Sequence, residues 1–239
     1  MSYRIHPLWR LERLMSPSMY SRSFPHPRVT FLSHHIPKTA GSSLRVAFEQ
    51  SLGNRVVYGV YDNTGASEMS AGEAVWLPAK ATILHGHFKP HINHEQMFPF
   101  AKRAVWVRDP LERLWSLVGH LMSLGTRHPQ YHLLKSALPN TNFKSQTSIV
   151  HDLVTEDAVK VFTRAYSNFF RNVPISDFAF VGSKHHYEKG LSKLSALLDL
   201  ELEIKQINRR NNMGHSIPTS IRRLEPYLQE EYELVGDYL

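Results

Sequence analysis

Five short apolar runs alternate with stretches of helical spacing, and that alternation limits the fold more than any other feature of the chain. The runs are Arg28–His34, Arg55–Val60, Ala81–His85, Arg103–Arg108 and Phe178–Gly182. Each is rich in β-branched or apolar residues and short enough for a buried strand. Between and after them, Ser42–Gln50 places Leu44, Ala47 and Phe48 on one helical face, and a helix starts at Pro110 behind an Asp109 cap, with Leu111, Leu114, Trp115 and Val118 as its buried stripe. Helical patterns resume over 148–171 and 186–199, and a terminal helix begins near Pro218. Strands that alternate with helices predict an α/β fold, a three-layer sandwich in which helices flank a central, mostly parallel sheet. Ligands in such sheets bind beyond the carboxyl ends of the strands. Residues 125–147 read as a polar, irregular loop, either mobile or facing an acceptor, and 206–217 as a basic polar loop. Residues 1–27 read as an N-terminal arm and 28–239 as one domain.

The bulk numbers narrow the partner. Among 239 residues, 28 Lys and Arg stand against 21 Asp and Glu, a formal charge of +7 that favours an anionic ligand. The positive charges are dispersed and no nucleic-acid motif appears, so a nucleic-acid partner is not expected. The absence of Cys excludes disulfides, thiolate metal sites and a Cys nucleophile. Arg4, Arg10, Glu12 and Arg13 interrupt the N-terminal segment too often for a signal peptide, and no stretch has the roughly 20 apolar residues of a membrane span. Leu8, Leu11, Leu14 and Met15 can line an amphipathic helix; packing on the domain surface is the expected use, with membrane-surface contact as the alternative. The expectation is a soluble cytoplasmic protein without stable membrane insertion.

Three segments carry chemistry, and each lies at the carboxyl end of an apolar run. The first is His35-Ile-Pro-Lys-Thr-Ala-Gly-Ser-Ser-Leu44. A strand that enters a Lys- and Gly-containing loop and then a helix is the layout of a phosphate site, because loop N–H groups and the helix dipole point at the anion. Lys38 adds a full charge, Thr39, Ser42 and Ser43 offer hydroxyls, and Pro37 restricts the loop. Lys precedes Gly here, so the GxxxxGK[ST] order of nucleotide triphosphatases is missing, which favours a P-loop-like cradle used without metal. The second is Arg108-Asp-Pro-Leu-Glu-Arg-Leu-Trp-Ser116. There Arg108 can grip phosphate oxygens with its planar fork, with Ser116 two turns into the helix as a further donor, or Arg108 and Asp109 can simply start that helix. The third is His85-Gly-His87, whose alternating imidazoles share one side of an extended chain and have the near-neutral pKa a general base needs. Structural histidines, or a metal held by His85, His87, His91 and His94, are the alternatives; no metal is expected, since no carboxylate or Cys completes the set.

The first segment resembles the 5'-phosphosulfate-binding loop of the carbohydrate sulfotransferase family, and the second resembles that family's 3'-phosphate-binding RDPxxRxxS motif at every defining position. Together they make the chain similar to heparan sulfate 2-O-like sulfotransferases that use 3'-phosphoadenosine 5'-phosphosulfate (PAPS). The resemblance implies that Lys38 contacts the oxygen bridging phosphate and sulfate. It also implies that Pro37, Lys38, Thr39, Ala40, Gly41, Ser42 and Ser43 hold the 5'-phosphate, and that Arg108 and Ser116 hold the 3'-phosphate. The His85-Gly-His87 segment resembles that of uronyl 2-O-sulfotransferases, which implies His87 as catalytic base with His85 assisting. After Phe178-Ala-Phe-Val-Gly182 the family's usual acidic residue is replaced by Ser183-Lys-His-His186, so adenine contacts do not carry over. The activity implied by this resemblance is PAPS-dependent sulfuryl transfer to a hydroxyl on a glycan, a lipid or a small molecule, a sugar hydroxyl being favoured. A P-loop small-molecule kinase that uses ATP is the second reading.

Overall fold

The computed structural model describes residues 5–16, 25–53, 55–203 and 217–239. They fall into two compact units, one made of 1–107 and 169–208 and the other of 108–168 and 209–239. The loop read over 206–217 lies almost wholly outside the described residues.

The first unit is built on five short strands, β1 (Phe31–His34), β2 (Val57–Val60), β3 (Ile83–Gly86), β4 (Lys102–Val107) and β5 (Phe180–Ser183). They run in the order β2-β3-β1-β4-β5, and all four pairings are parallel. This is the predicted α/β sandwich. Successive side chains point to opposite faces. Phe31, Val57, Ile83, Ala104 and Trp106 meet helices α2 (Gly41–Leu52) and α10 (Tyr187–Leu198) through Leu44, Phe48, Leu191 and Leu194. Leu32, Tyr58, Val60 and Leu84 meet α1 (Pro7–Met15), α3 (Ala66–Ser70) and α4 (His94–Met97) through Trp9, Ala66, Met69 and Met97. Burial on both faces explains why the strands read as continuous apolar runs rather than as alternating ones.

The strand order positions the site. From central β1 the chain leaves through α2 toward the β2 edge, whereas β3 leads through α4 across β1 to β4. With right-handed crossovers the loops that leave neighbouring strands diverge to opposite faces, opening a crevice at the carboxyl end of β1. Gly86 lets β2 and β3 close there. A Cβ at this position would stand 1.7 Å from the Val60 carbonyl oxygen, whereas the glycine lets the His87 N–H donate to that same oxygen at 2.9 Å.

Helix α1 forms where the amphipathic pattern predicted it but turns the other way. Trp9 is buried edge-on against Tyr58 at 5.2 Å, Glu12 accepts the Ala79 N–H at 2.6 Å, and Leu8, Leu11, Leu14 and Met15 face outward. One indole that fills a gap beside β2 outweighs several leucines with no cavity to enter.

The second unit is helical: α5 (Pro110–Leu124), α6 (Pro129–Ala137), α7 (Gln146–Thr155), α8 (Lys160–Thr163), most of α9 (Ala165–Phe169), α11 (Thr219–Arg222) and α12 (Gln229–Val235). Its core joins Leu111, Leu114 and Val118 of α5 to Leu134, Ile149, Leu153 and Ile221. Residues 125–147, read as irregular, contain α6. The His128 side chain accepts the Gln130 N–H and Pro129 opens the helix, so a polar composition concealed a helix with a single fully buried anchor, Leu134.

Candidate active site

The β1–α2 loop is held in an unusual backbone. Lys38 and Ala40 both take left-handed conformations, with φ of 76° and 85°, at non-glycine residues that ordinarily avoid this region. Alternation of left- and right-handed residues turns successive N–H groups to one side and makes a concave anion nest. Thr39 braces the turn from within: it is fully buried and donates its hydroxyl to the Ile36 carbonyl at 2.8 Å. Pro37 and Ser42 are exposed, and Lys38, Ala40 and Ser43 half-buried. Helix α2 begins with no side-chain cap and no acidic residue in its first turn. Among the described residues no side chain answers its leading N–H groups or its dipole, the condition under which a helix start attracts an external anion. Gly41 is required for contact, since a Cβ there would lie 2.1 Å from the His35 ring.

Beside this loop, the ends of β1, β2 and β3 assemble an aromatic polar cluster. The His35 ring lies 4.6 Å from that of His87 and 5.4 Å, stacked, from that of His85. Tyr61, just past β2, lies 4.8 Å from His87. Arg45, one turn into α2, lies 6.0 Å from the Tyr61 ring centroid. His85 is buried on the α2 face of the sheet; its Nδ1 is 2.9 Å from the Ser33 hydroxyl, and its Nε2 is buried without a hydrogen-bond partner among the described residues. Burial, reinforced by Arg45 and His87, lowers the His85 pKa to about 3. Burial lowers that of His87 to about 4 against the pull of Asp62, and His35 is driven well below its ordinary value by burial, His87 and His85, with the Lys38 charge adding to them. At neutral pH these imidazoles are therefore uncharged, the form that accepts a proton. The structure thus brings Lys38, Gly41, His85 and His87 together around His35.

The four histidines of the metal alternative do not converge. His94 lies on the opposite face of the sheet, its Nε2 2.8 Å from the Met69 carbonyl, with His91 6.2 Å away ring to ring. Among the described residues no group of three or more His, Asp or Glu is placed to hold a metal ion.

The β4–α5 turn belongs to the second unit and is built from side chains. Asp109 caps α5 by accepting the Glu112 N–H at 2.9 Å. Its carboxylate also takes Arg222 Nη1 at 2.6 Å and the Tyr232 hydroxyl at 3.1 Å. Arg108 bonds Glu112 through Nε at 3.3 Å, and Arg222 reaches the other Glu112 oxygen at 3.4 Å. The Arg108 backbone is fixed by Tyr166, whose hydroxyl accepts the Arg108 N–H and donates to the Arg108 carbonyl. Ser116 is half-buried on α5. Arg113 is fully buried, donates to the Phe162 carbonyl and lies 5.8 Å from the Tyr166 ring, so its place is structural.

Sequence reasoning passed over His35, Tyr61 and Arg45, and on the second unit Arg222, Tyr166 and Tyr232. Tyr61 had a signal, since it follows β2 directly as His87 follows β3. Arg222 and Tyr232 had none, because they lie more than 100 residues from the motif they hold.

No protein-family description matches the chain, and no curated protein matches it. Among solved structures it is similar to a sulfotransferase from Alicyclobacillus acidocaldarius, with a TM-score of 0.46 and 11% identity over 88% of this chain and 95% of that one. It is also similar to the mouse sulfotransferase SULT7A1 complexed with PAP, with a TM-score of 0.36 and 14% identity over 85% of this chain and 64% of that one. No helix among the described residues is long and apolar enough to cross a membrane.

Proposed function

We propose that the chain is a sulfotransferase that uses PAPS and an acceptor hydroxyl, with a sugar hydroxyl as the favoured acceptor. The observation that carries this reading is the uncapped, carboxylate-free start of α2 behind a left-handed nest at Lys38 and Ala40, set beside imidazoles that burial keeps neutral. An anion fits this loop, because its helix start has dipole and N–H groups to offer and no acidic side chain of its own to use them. PAPS would supply an activated sulfuryl group and a departing phosphate oxygen.

In this proposal the chain's own residues divide the work. The loop backbone from Pro37 to Ser43 holds the 5'-phosphate, with Thr39 maintaining the loop's shape. Lys38 offsets charge on the departing oxygen. His87, half-buried and neutral, takes the acceptor's hydroxyl proton as its oxygen bonds to sulfur. His85, fixed through Nδ1 by Ser33, keeps the His35–His87 pair in place. In the second unit Arg108, assisted by Ser116, holds the 3'-phosphate, with its fork pre-set by Glu112.

Calorimetry with 3'-phosphoadenosine 5'-phosphate, ATP and an oligonucleotide separates this reading from a kinase and from a nucleic-acid binder. Transfer of labelled sulfate from PAPS to glycan, lipid and phenol panels then finds the acceptor. His87→Ala is expected to lower kcat by about 10²–10⁴-fold while leaving nucleotide affinity intact. A base must be deprotonated, so activity is lost as pH falls. Since the free protein's His87 titrates near 4, kcat/KM stays level from neutral pH until the solution approaches that value. Preference for ATP over the 3'-phosphorylated nucleotide would overturn the donor assignment, and near-normal turnover of His87→Ala would overturn the base.

A further inference from the structure

We infer that α1 is a docking surface for the interface of a membrane that contains anionic lipid. The helix has nine residues and is held on the first unit by contacts on one side only. Trp9 is buried against Tyr58, Glu12 accepts the Ala79 N–H, and the Ser16 carbonyl accepts from Trp76 Nε1 at 3.1 Å. The opposite side carries Leu8, Leu11, Leu14 and Met15, which are 45, 56, 78 and 83% exposed. At about 100° per residue these four fall within an arc of roughly 120°. A rigidly seated helix that shows water an uninterrupted leucine arc is a surface awaiting an apolar partner.

Charge selects the partner. Arg10 borders the arc about 40° from Leu14, and Arg13 stands next to Arg10 with its guanidinium 6.0 Å from the Trp76 ring; both are exposed. Arg28 donates to the Ala79 carbonyl at 3.1 Å, and exposed Lys80 follows directly, so both stand at the point where α1 is seated. The carboxylate of the helix itself, Glu12, is bonded inward to the Ala79 N–H. An apolar arc with cations beside it matches an anionic lipid surface, where leucines enter the acyl boundary and nearby cations add electrostatic attraction. A second copy of a chain with net charge +7 would bring the same cations to the seam. Four side chains on so short a helix also fall far short of the roughly 1,200–2,000 Å² that a stable protein interface buries. The helix lies on the membrane without spanning it, and the inference does not depend on the donor or the acceptor.

The test is sedimentation of the full chain with phosphatidylcholine vesicles, with and without phosphatidylserine, at low and high salt. Binding is expected only to the phosphatidylserine vesicles and to weaken with salt. Leu11→Glu/Leu14→Glu is expected to reduce partition by about tenfold or more, and Arg10→Glu/Arg13→Glu to reduce it while removing the salt dependence. The leucine pair points outward, so unchanged thermal unfolding of that variant is expected to show an intact fold; Arg13 packs over the Trp76 ring, so Arg10→Glu alone is the charge variant expected to unfold as wild type. Absence of partition in wild type, or equal partition of the leucine variant, overturns the inference. So does self-association of the wild type that the leucine variant abolishes, which would make a second copy the occupant.

Discussion

The β1–α2 loop and the β4–α5 turn both leave a parallel strand and start a helix, yet they satisfy that helix start in opposite ways. At α2 no side chain caps the end, no carboxylate sits in the first turn, and two non-glycine residues hold left-handed backbone. At α5 Asp109 caps the end and Glu112 occupies the first turn, so the N–H groups and the dipole are already answered from inside the chain. A helix dipole can attract an external anion only where the protein has not placed its own. In the proposed reading the first segment is therefore an anion site carried by backbone. In the second, any grip on an anion falls to the Arg108 guanidinium, whose Nε is engaged by Glu112 and whose planar fork suits a bidentate contact.

Lys38→Ala tests the backbone half of that contrast and has the larger expected effect of the two halves. If the nest and the helix start hold the 5'-phosphate, removal of the Lys38 charge leaves much of the ground-state binding in place. The loss then falls on the charge that develops as the sulfuryl group leaves, about 10²–10³-fold in kcat. Titration of 3'-phosphoadenosine 5'-phosphate beside single-turnover transfer separates the two. A collapse in affinity with kcat preserved would mean that the lysine, not the backbone, holds the anion.

Arg108→Ala tests the side-chain half and should show the reverse split. Hydrogen bonds to a charged group contribute about 1.5–3 kcal/mol, so affinity for the 3'-phosphorylated nucleotide is expected to fall about 10- to 100-fold with little change in kcat. Affinity for a nucleotide without the 3'-phosphate should hardly move. Arg108→Lys should restore little, because an ammonium cannot replace the fork. Equal losses for both nucleotides would remove Arg108 from the 3'-phosphate.

The same contrast explains what was legible in the sequence. Strand positions, the α2 and α5 starts, the Asp109 cap and the buried Leu44, Ala47 and Phe48 were readable because each depends on near neighbours and on burial periodicity. The cluster around His87 was half legible. His85 and His87 declare themselves by alternation along one strand, but Tyr61 and Arg45 join them only once β2, β3 and α2 are placed side by side. The inward turn of Thr39 was not readable, since a hydroxyl in a phosphate-like loop looks the same whether it faces the ligand or the Ile36 carbonyl. The outward leucines of α1 were misread for a related reason: periodicity finds the apolar stripe, but only the shape of the gap beside Tyr58 decides that Trp9 enters it.

Asp109 gives the smallest effect and divides capping from charge. Its carboxylate accepts the Glu112 N–H and the Tyr232 hydroxyl and pairs with Arg222, whose side chain is 39% exposed. Loss of a cap costs about 1 kcal/mol, and an ion pair with one partner that exposed adds at most a few tenths to about 1. Asp109→Ala should therefore destabilise the helical unit by about 1–2 kcal/mol. Asp109→Asn keeps an oxygen that caps as well as Asp does, gives up only the charge, and should recover at least half of that loss. Chemical denaturation followed by helical signal reads both variants. If Asn proved as damaging as Ala, the Arg222 pairing rather than the cap would hold the start of α5. The arginines and carboxylates there would then form one electrostatic lattice, and Arg108 would no longer be separable from the scaffold that supports it.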